Sequence, residues 1–543
     1  MIPLLFAMLL TAPDEEKLEC DWIITNARIY TVDSAFSMVQ SMAIDDGYIV
    51  ATGSNDSVMA HYWSLNVTDM AGKVIYPGFI DGHCHFLHYG VDLSYTNLVG
   101  TKSFLDVVEL LKKHDITKTS GWIIGRGWDQ NDWDYKEFPT REALDKEFPA
   151  TPVYIERVDG HVALLNGRAL ELTGITETSS IAGGVVEVKN GKCTGILMDN
   201  AMELAKRKMP TKSSKFLTNA LARAQSDCFA VGLTSVQDAG LELHEIMTLK
   251  TAADNGKLQM RVYAMATAEP KTFDYFMENG PMYGDRLNVR AFKFYADGAL
   301  GSRGAGLLKP YSDDPDNYGI YYYPYDSLSW QAKRVYNAGF QMCTHAIGDS
   351  ANRLILDIYG ATLKGKNDLR WRVEHCQVVS KSDINKFGQF SILPSVQPTH
   401  ATSDMYWATD RLGADRLKTA YAYKDLMKQN GMLIDGSDFP VESINPIYGF
   451  YAAVARKDLK MYPDKGFQKE NAIGRNEALK AMTIWAAYGA FEEGVKGSLE
   501  VNKYADFVIL DKDILAIPEP EIPTAKVLMT VVGGDVVYER KSE

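Results

Sequence analysis

Hydrophobic and polar positions follow two rhythms along this chain. Near both ends the apolar runs are short, alternate with polar positions and are punctuated by turn residues. Residues 22–27 and 42–50 show this at the front, and 506–510 and 527–538 show it at the back. Period-two alternation is the mark of half-buried strands. The two ends read as pieces of one small β-sandwich, since chain termini often lie close together. Between them, short apolar runs alternate with helical stretches, as in βα units around a parallel sheet. Candidate strands run near 74–80, 232–237, 260–265, 289–295, 340–345, 371–375, 391–396 and 432–437. Eight such strands close a (β/α)8 TIM barrel.

One interval breaks the rhythm. Residues 86–231 separate the first strand from the second, far more than one crossover needs. They must hold an inserted domain, at about 90–225, with strands near 122–128, 151–157 and 184–188. An insert on the first βα loop hangs over the barrel mouth, where substrate selection belongs. The chain thus divides into 19–73 and 491–543, the two parts of the sandwich, and 74–490, the barrel with its insert. Residues 1–18 read as a flexible start or a remnant export signal. Positions 2–12 form an apolar run of signal length, without the preceding Lys or Arg such signals carry.

Composition narrows the function. The chain is 46% hydrophobic and 23% charged, which is globular. A net charge of −13 with no basic run argues against a nucleic-acid surface. No stretch is long enough for a membrane-spanning helix. Six scattered cysteines make no disulfide framework. A small molecule is the expected partner; oligomeric state stays open, with a homodimer among the options.

Histidines then stand out at the ends of the predicted strands. His83 and His85 follow the run 74–80 and flank Cys84. Residues i and i+2 of a strand point to one side, so both imidazoles can reach one ion. Runs 340–345 and 371–375 end in His345 and His375, Asp438 follows 432–437, and Lys293 is embedded in 289–295. His345 and His375 are 30 residues apart, about one βα repeat. All these side chains fall at C-terminal strand ends, where barrel active sites are built. Nitrogen and carboxylate donors suit zinc first, or manganese, iron or cobalt. Cys84 and Cys376 point away by alternation, and Cys343 lies one layer deeper. His161, in the insert, is a candidate to reach over the mouth. Asp297 and Arg303 could shape the pocket but read first as loop anchors or local ion pairs; His88 could support a ligand and His400 could line the mouth after strand 7, though both read first as structural. His61, His114 and His244 receive no role.

The set His83-Cys84-His85, Lys293, His345, His375 and Asp438 resembles the amidohydrolase superfamily. Further words narrow the resemblance to its YtcJ-like branch, which includes N-substituted formamide deformylases. They are Gly127-Trp128-Asp129-Gln130, Pro139-Thr140-Arg141, Arg157-Val158-Asp159-Gly160-His161, Lys293-Phe294-Tyr295-Ala296-Asp297-Gly298, His345-Ala346-Ile347-Gly348-Asp349, Val373-Glu374-His375, Val396-Gln397-Pro398 and Gly436-Ser437-Asp438-Phe439-Pro440. They occur in order over nearly the whole chain.

The resemblance implies one or two divalent ions per chain. His83, His85 and Asp438 would hold the first, and His345 and His375 the second. Lys293, carboxylated by CO2, would bridge both if two are present. It also implies attack of metal-activated hydroxide on an amide-type, non-peptide C–N bond. Asp438 would move the proton and His161 would stabilise the oxyanion. Hydrolysis of a lactone or carbamate, deamination of a heterocycle, and a non-catalytic regulatory relative stay open as alternatives.

Overall fold

A computed structural model describes residues 17–541, apart from 115, 120 and 211. The reading of residues 1–18 falls largely outside the described residues. Leu18–Glu19 already pairs with Tyr62–Trp63 in a two-stranded ladder.

Eight parallel strands form the central sheet. They are β1 (Phe79–Cys84), β2 (Leu233–Leu241), β3 (Arg261–Thr267), β4 (Leu287–Tyr295), β5 (Gln341–Ala346), β6 (Arg372–His375), β7 (Leu393–Val396) and β8 (Ile434–Asp435). They follow one another in sequence order, and the helices between them pack outside. The expected TIM barrel is the observed fold. β8 closes on β1 at a narrow seam. A Cβ at Gly82 would meet Asp435 O at 2.6 Å, and one at Gly436 would meet His83 N at 2.4 Å. Only glycine lets the backbones approach this far. The seam is fastened at the mouth, where Asp438 N donates to His83 O over 2.7 Å.

The predicted strand over 74–80 is two strands. Val74–Pro77 leaves the barrel and pairs antiparallel with Phe507–Leu510 of the terminal sheet, while Phe79 begins β1. The break falls at Gly78, where a Cβ would lie 2.2 Å from Thr234 Oγ1. A continuous apolar run conceals this change of sheet, because both strands are buried.

The two ends of the chain build one sandwich. A four-stranded sheet of Trp22–Thr25, Ser41–Asp45, Tyr48–Gly53 and Val67–Asp69 faces a six-stranded one. The latter joins Arg28–Tyr30, Met38–Val39 and Val74–Pro77 to Phe507–Leu510, Val527–Val532 and Asp535–Glu539. Trp22, Ile44, Ile75 and Phe507 share the core between them.

The insert is a six-stranded sheet. Three of its strands, Ile123–Trp128, Val153–Arg157 and Gly184–Lys189, lie where the sequence predicts them. Val162–Leu165 and Lys192–Asp199 add antiparallel pairs that the pattern did not reveal. Trp122, Trp128 and Trp133 are buried in its two cores, while Tyr135 is exposed. Among the described residues no helix is long and apolar enough to cross a membrane.

Candidate metal centre

The seam places β1 and the turn after β8 side by side, and the donors converge there. His83 is fully buried on β1. Its Nδ1 is taken by Glu374 Oε2 at 2.5 Å, so Nε2 faces the mouth. Glu374 is held by Arg372 Nε at 2.7 Å, and Arg372 also donates to Gly82 O and Ser395 Oγ. This buried network fixes the ring of His83. From below, Asp81 accepts from His83 N and from Ser437 N and Oγ, tying the two donor-bearing turns together.

His83 Nε2 lies 3.1 Å from Lys293 Nζ and 3.6 Å from Asp438 Oδ1. His85 Nε2 lies 3.2 Å from the same oxygen. His85 stands at the start of helix α1 (Phe86–Asp92), whose first turn is anchored when Leu87 N donates to Asp238 Oδ2 on β2. On the other side, the rings of His345 and His375 are 4.5 Å apart, and that of His375 is 4.9 Å from that of His83. His375 Nδ1 is bound to Gln397 Oε1 at 2.8 Å, again leaving Nε2 to the mouth. His345 Nε2 approaches Gly298 O at 3.5 Å. His375 and Asp438 both carry a left-handed φ, +75° and +60°. Non-glycine residues held there cost of order 1–3 kcal/mol each and cluster at functional sites.

Two overlapping groups of donors have the proximity a metal ion needs: His83, His85 and Asp438, and His375, His400 and Asp438. Asp438 belongs to both. Its buried Oδ1 faces His85 Nε2 at 3.2 Å without hydrogen-bond geometry, and His400 Nε2 is buried with no partner. Buried polar atoms rarely go unpartnered in folded proteins. A cation beside Asp438 satisfies such an atom, so the residues present fit one.

The electrostatics keep these groups in their ligand forms. Burial lowers the His83 pKa, helped by Lys293, and lowers His85 to about 4 against the pull of Asp438. Burial holds His345 and His375 well below the ordinary value, with His161 pressing on the first and His345 on the second. Burial opposes ionisation of Asp438, but His85, His83 and His375 outweigh it and hold the carboxyl well below its usual range. Lys293 is lowered by burial. Neutral imidazoles and a carboxylate are what a divalent cation binds.

These donors floor a cavity of about 1700 Å³, roofed by the insert. His161 enters from above, its ring 5.3 Å from that of His345. Its Nδ1 is bound to Asp199 Oδ1 at 2.7 Å, and Tyr322 Oη donates to the same oxygen. Burial disfavours the charged imidazole, but the bond to Asp199 prevails and raises the pKa.

The six side chains singled out at the strand ends are thus brought to one mouth, with His161 above them. Asp297 is a loop anchor, accepting from Gly306, Ile347 and Gly348 N. Arg303 pairs with Asp313, and His88 with Glu245. His61 and His114 lie away from the cavity, and His244 stands at its outer rim. Cysteines take no part in either donor group.

Sequence reasoning missed His400, Glu374, Gln397 and Asp199 as parts of the site. Glu374 and Gln397 lay within words already tied to the resemblance, and His400 follows Gln397 by three residues. Asp199 ends an insert strand that the pattern concealed.

These features define a TIM barrel with a candidate metal centre at its C-terminal mouth. The chain belongs to the amidohydrolase family, which matches residues 66–538. Protein LONG AFTER FAR-RED 3 of Arabidopsis thaliana is 33% identical over 95% of this chain and 91% of its own length. The protein YtcJ of Bacillus subtilis (strain 168) is 30% identical, covering 94% and 98%. The N-substituted formamide deformylase of Arthrobacter pascens is 26% identical, covering 96% and 98%. Among solved structures, an uncharacterized metal-dependent hydrolase from Pyrococcus horikoshii superposes with a TM-score of 0.75 at 29% identity. That match covers 92% of this chain and 99% of the other.

Proposed function

We propose that this protein is a metal-dependent hydrolase that cleaves a non-peptide, amide-type C–N bond in a small molecule. The observation that carries the reading is the shared carboxylate. Asp438 stands between two donor groups, with Oδ1 facing His83 and His85 Nε2 at 3.6 and 3.2 Å in a buried, imidazole-lined mouth. The amide specificity draws support from the likeness to the formamide deformylase.

His83, His85 and Asp438 would hold one divalent ion, zinc first. His345 and His375 would hold a second, with Lys293 bridging once its amine has added CO2 and lost a proton. Burial lowers the Lys293 pKa, a shift toward the free amine which that addition requires. A bound divalent cation lowers the pKa of water to roughly 7 and polarises a carbonyl.

The chain's own groups do the rest. Asp438 accepts the proton of the attacking water and returns it to the leaving nitrogen. His161, held by Asp199, donates toward the carbonyl oxygen as negative charge builds on it. The insert covers the mouth and limits which substrates enter.

The test is release of amine from a panel of N-formyl and N-acyl compounds, with lactones, carbamates and aminated heterocycles alongside. Amine release that chelation abolishes and zinc restores is the expected result. Turnover confined to the lactones overturns the C–N assignment. A metal-free protein, inert to the whole panel with zinc added, overturns the hydrolase reading.

A further inference from the structure

We propose that His375, His400 and Asp438 form an inhibitory seat for a divalent transition metal, distinct from the one His345, His375 and Lys293 would offer. The inhibitory half of this rests on Asp438 being the proton acceptor of the proposed function; the seat itself rests on geometry.

The donor atoms of the three residues lie within 4.8 Å of one another. His400 Nε2 is 3.8 Å from Asp438 Oδ2, too far for a hydrogen bond. It is buried and has no hydrogen-bond partner. A nitrogen left so costs free energy unless something else binds it. A zinc ion about 2.1 Å from each ligand spans donors up to about 4.2 Å apart. The His400–Asp438 separation of 3.8 Å falls inside that limit.

Neighbouring residues hold the donors in place. The rings of His375 and His400 lie side by side, 6.0 Å apart and only 13° from parallel. Gln397 binds His375 Nδ1, and the same residue begins the helix Pro398–Asp404 that carries His400. The orientation of one ligand is thereby coupled to the position of the other. Asp404 and Glu442 line the cavity beside them, and burial raises both carboxyl pKa values, that of Asp404 to about 7. Two imidazoles and one carboxylate suit zinc or copper better than magnesium or calcium.

An ion seated here has two consequences. It takes Asp438 Oδ2, so the carboxylate can no longer accept a proton there. It also takes His375 Nε2, which the seat with His345 needs. Excess zinc therefore inhibits, through residues that are already part of the centre.

The test titrates purified protein, with its tightly held metal in place, against a buffered series of free zinc. Bound zinc is counted by mass spectrometry, and amide hydrolysis is followed in parallel. Wild type prepared with one tight ion, at His83, His85 and Asp438, is expected to take up one further, weaker ion, with hydrolysis falling as it binds. His400→Phe keeps a ring beside His375 but removes the nitrogen, and is expected to bind that ion at least about tenfold more weakly. His400→Gln serves as the second variant, and melting curves of the chelated proteins check folding. Identical zinc uptake in wild type and both variants overturns the seat. Uptake that His400 controls, without any loss of hydrolysis, overturns the inhibition. A wild type holding no tight metal overturns the proposed function instead, and the weaker seat is still read on the same protein.

Discussion

The two rims of the barrel treat buried charge in opposite ways. At the N-terminal rim, Arg261 opens β3 and meets Asp506 in a two-pronged pair, at 2.7 and 3.0 Å. Asp506 also accepts from Gly533 N, Arg261 also donates to Asp285 O, and Tyr504 covers the guanidinium at 3.5 Å. The terminal sandwich is stitched to the barrel there. At the C-terminal rim, Asp438 Oδ1, His400 Nε2 and Gln397 Nε2 are buried without hydrogen bonds, and two donors sit in left-handed backbone. The Arg261–Asp506 cluster completes its polar contacts and stabilises the fold. The C-terminal rim leaves such contacts open toward a cavity, at a cost that only a ligand offsets.

That contrast is broken most sharply by exchanging the roles. Asp438→Asn is expected to lower kcat/KM by about 10²–10⁴-fold, the usual worth of a positioned base. Its melting temperature with metal chelated should scarcely change. Arg261→Ala is expected to do the reverse. Breaking a buried pair costs about 3–5 kcal/mol, so denaturant unfolding shifts strongly while metal content stays at the wild-type level. Equal loss of stability in both variants would erase the distinction between the rims.

Two smaller effects sharpen it. His161→Ala is expected to lower kcat by about 10²–10³-fold with little change in KM, as removal of an oxyanion donor does. Gln397→Ala frees His375 Nδ1 and is expected to weaken metal binding about 10–100-fold, measured by competition with a chromophoric chelator.

The smallest effect is a pH limb at the edge of the mouth. His88 and Glu245 pair at 2.9 Å. Burial opposes the charge on His88, but Glu245 raises its pKa from 6.5 to about 9. The folded value exceeds the unfolded one, so the pair stabilises fully below about pH 6.5 and loses that contribution as pH climbs through about 9. His88→Gln should flatten that limb of the stability curve; an unchanged limb would show that the pair contributes nothing.

The contrast also explains what could be read from the chain. Strands β2 to β7 follow apolar runs, so periodicity located them; donors sit on β4, β5 and β6, and alternation oriented His83 and His85. β1 was misplaced because 74–80 is apolar throughout, while Gly78 changes the sheet without changing the pattern. β8 is only Ile434–Asp435, and Asp438 lies in the turn beyond it. His400 escaped because its value depends on distances to Asp438 and His375, which no local pattern encodes. Glu374 points inward beneath His83, and Asp199 reaches His161 from a strand whose pairing is set by the insert's own core. Local rhythm reports burial; it does not report which buried polar atoms are left open.

The most direct measurement is a crystal structure with anomalous data collected on either side of the zinc edge. The account predicts a zinc peak bounded by His83, His85 and Asp438 at the C-terminal mouth, and none beside Arg261 and Asp506. A zinc-soaked crystal with no anomalous density at that mouth would contradict it.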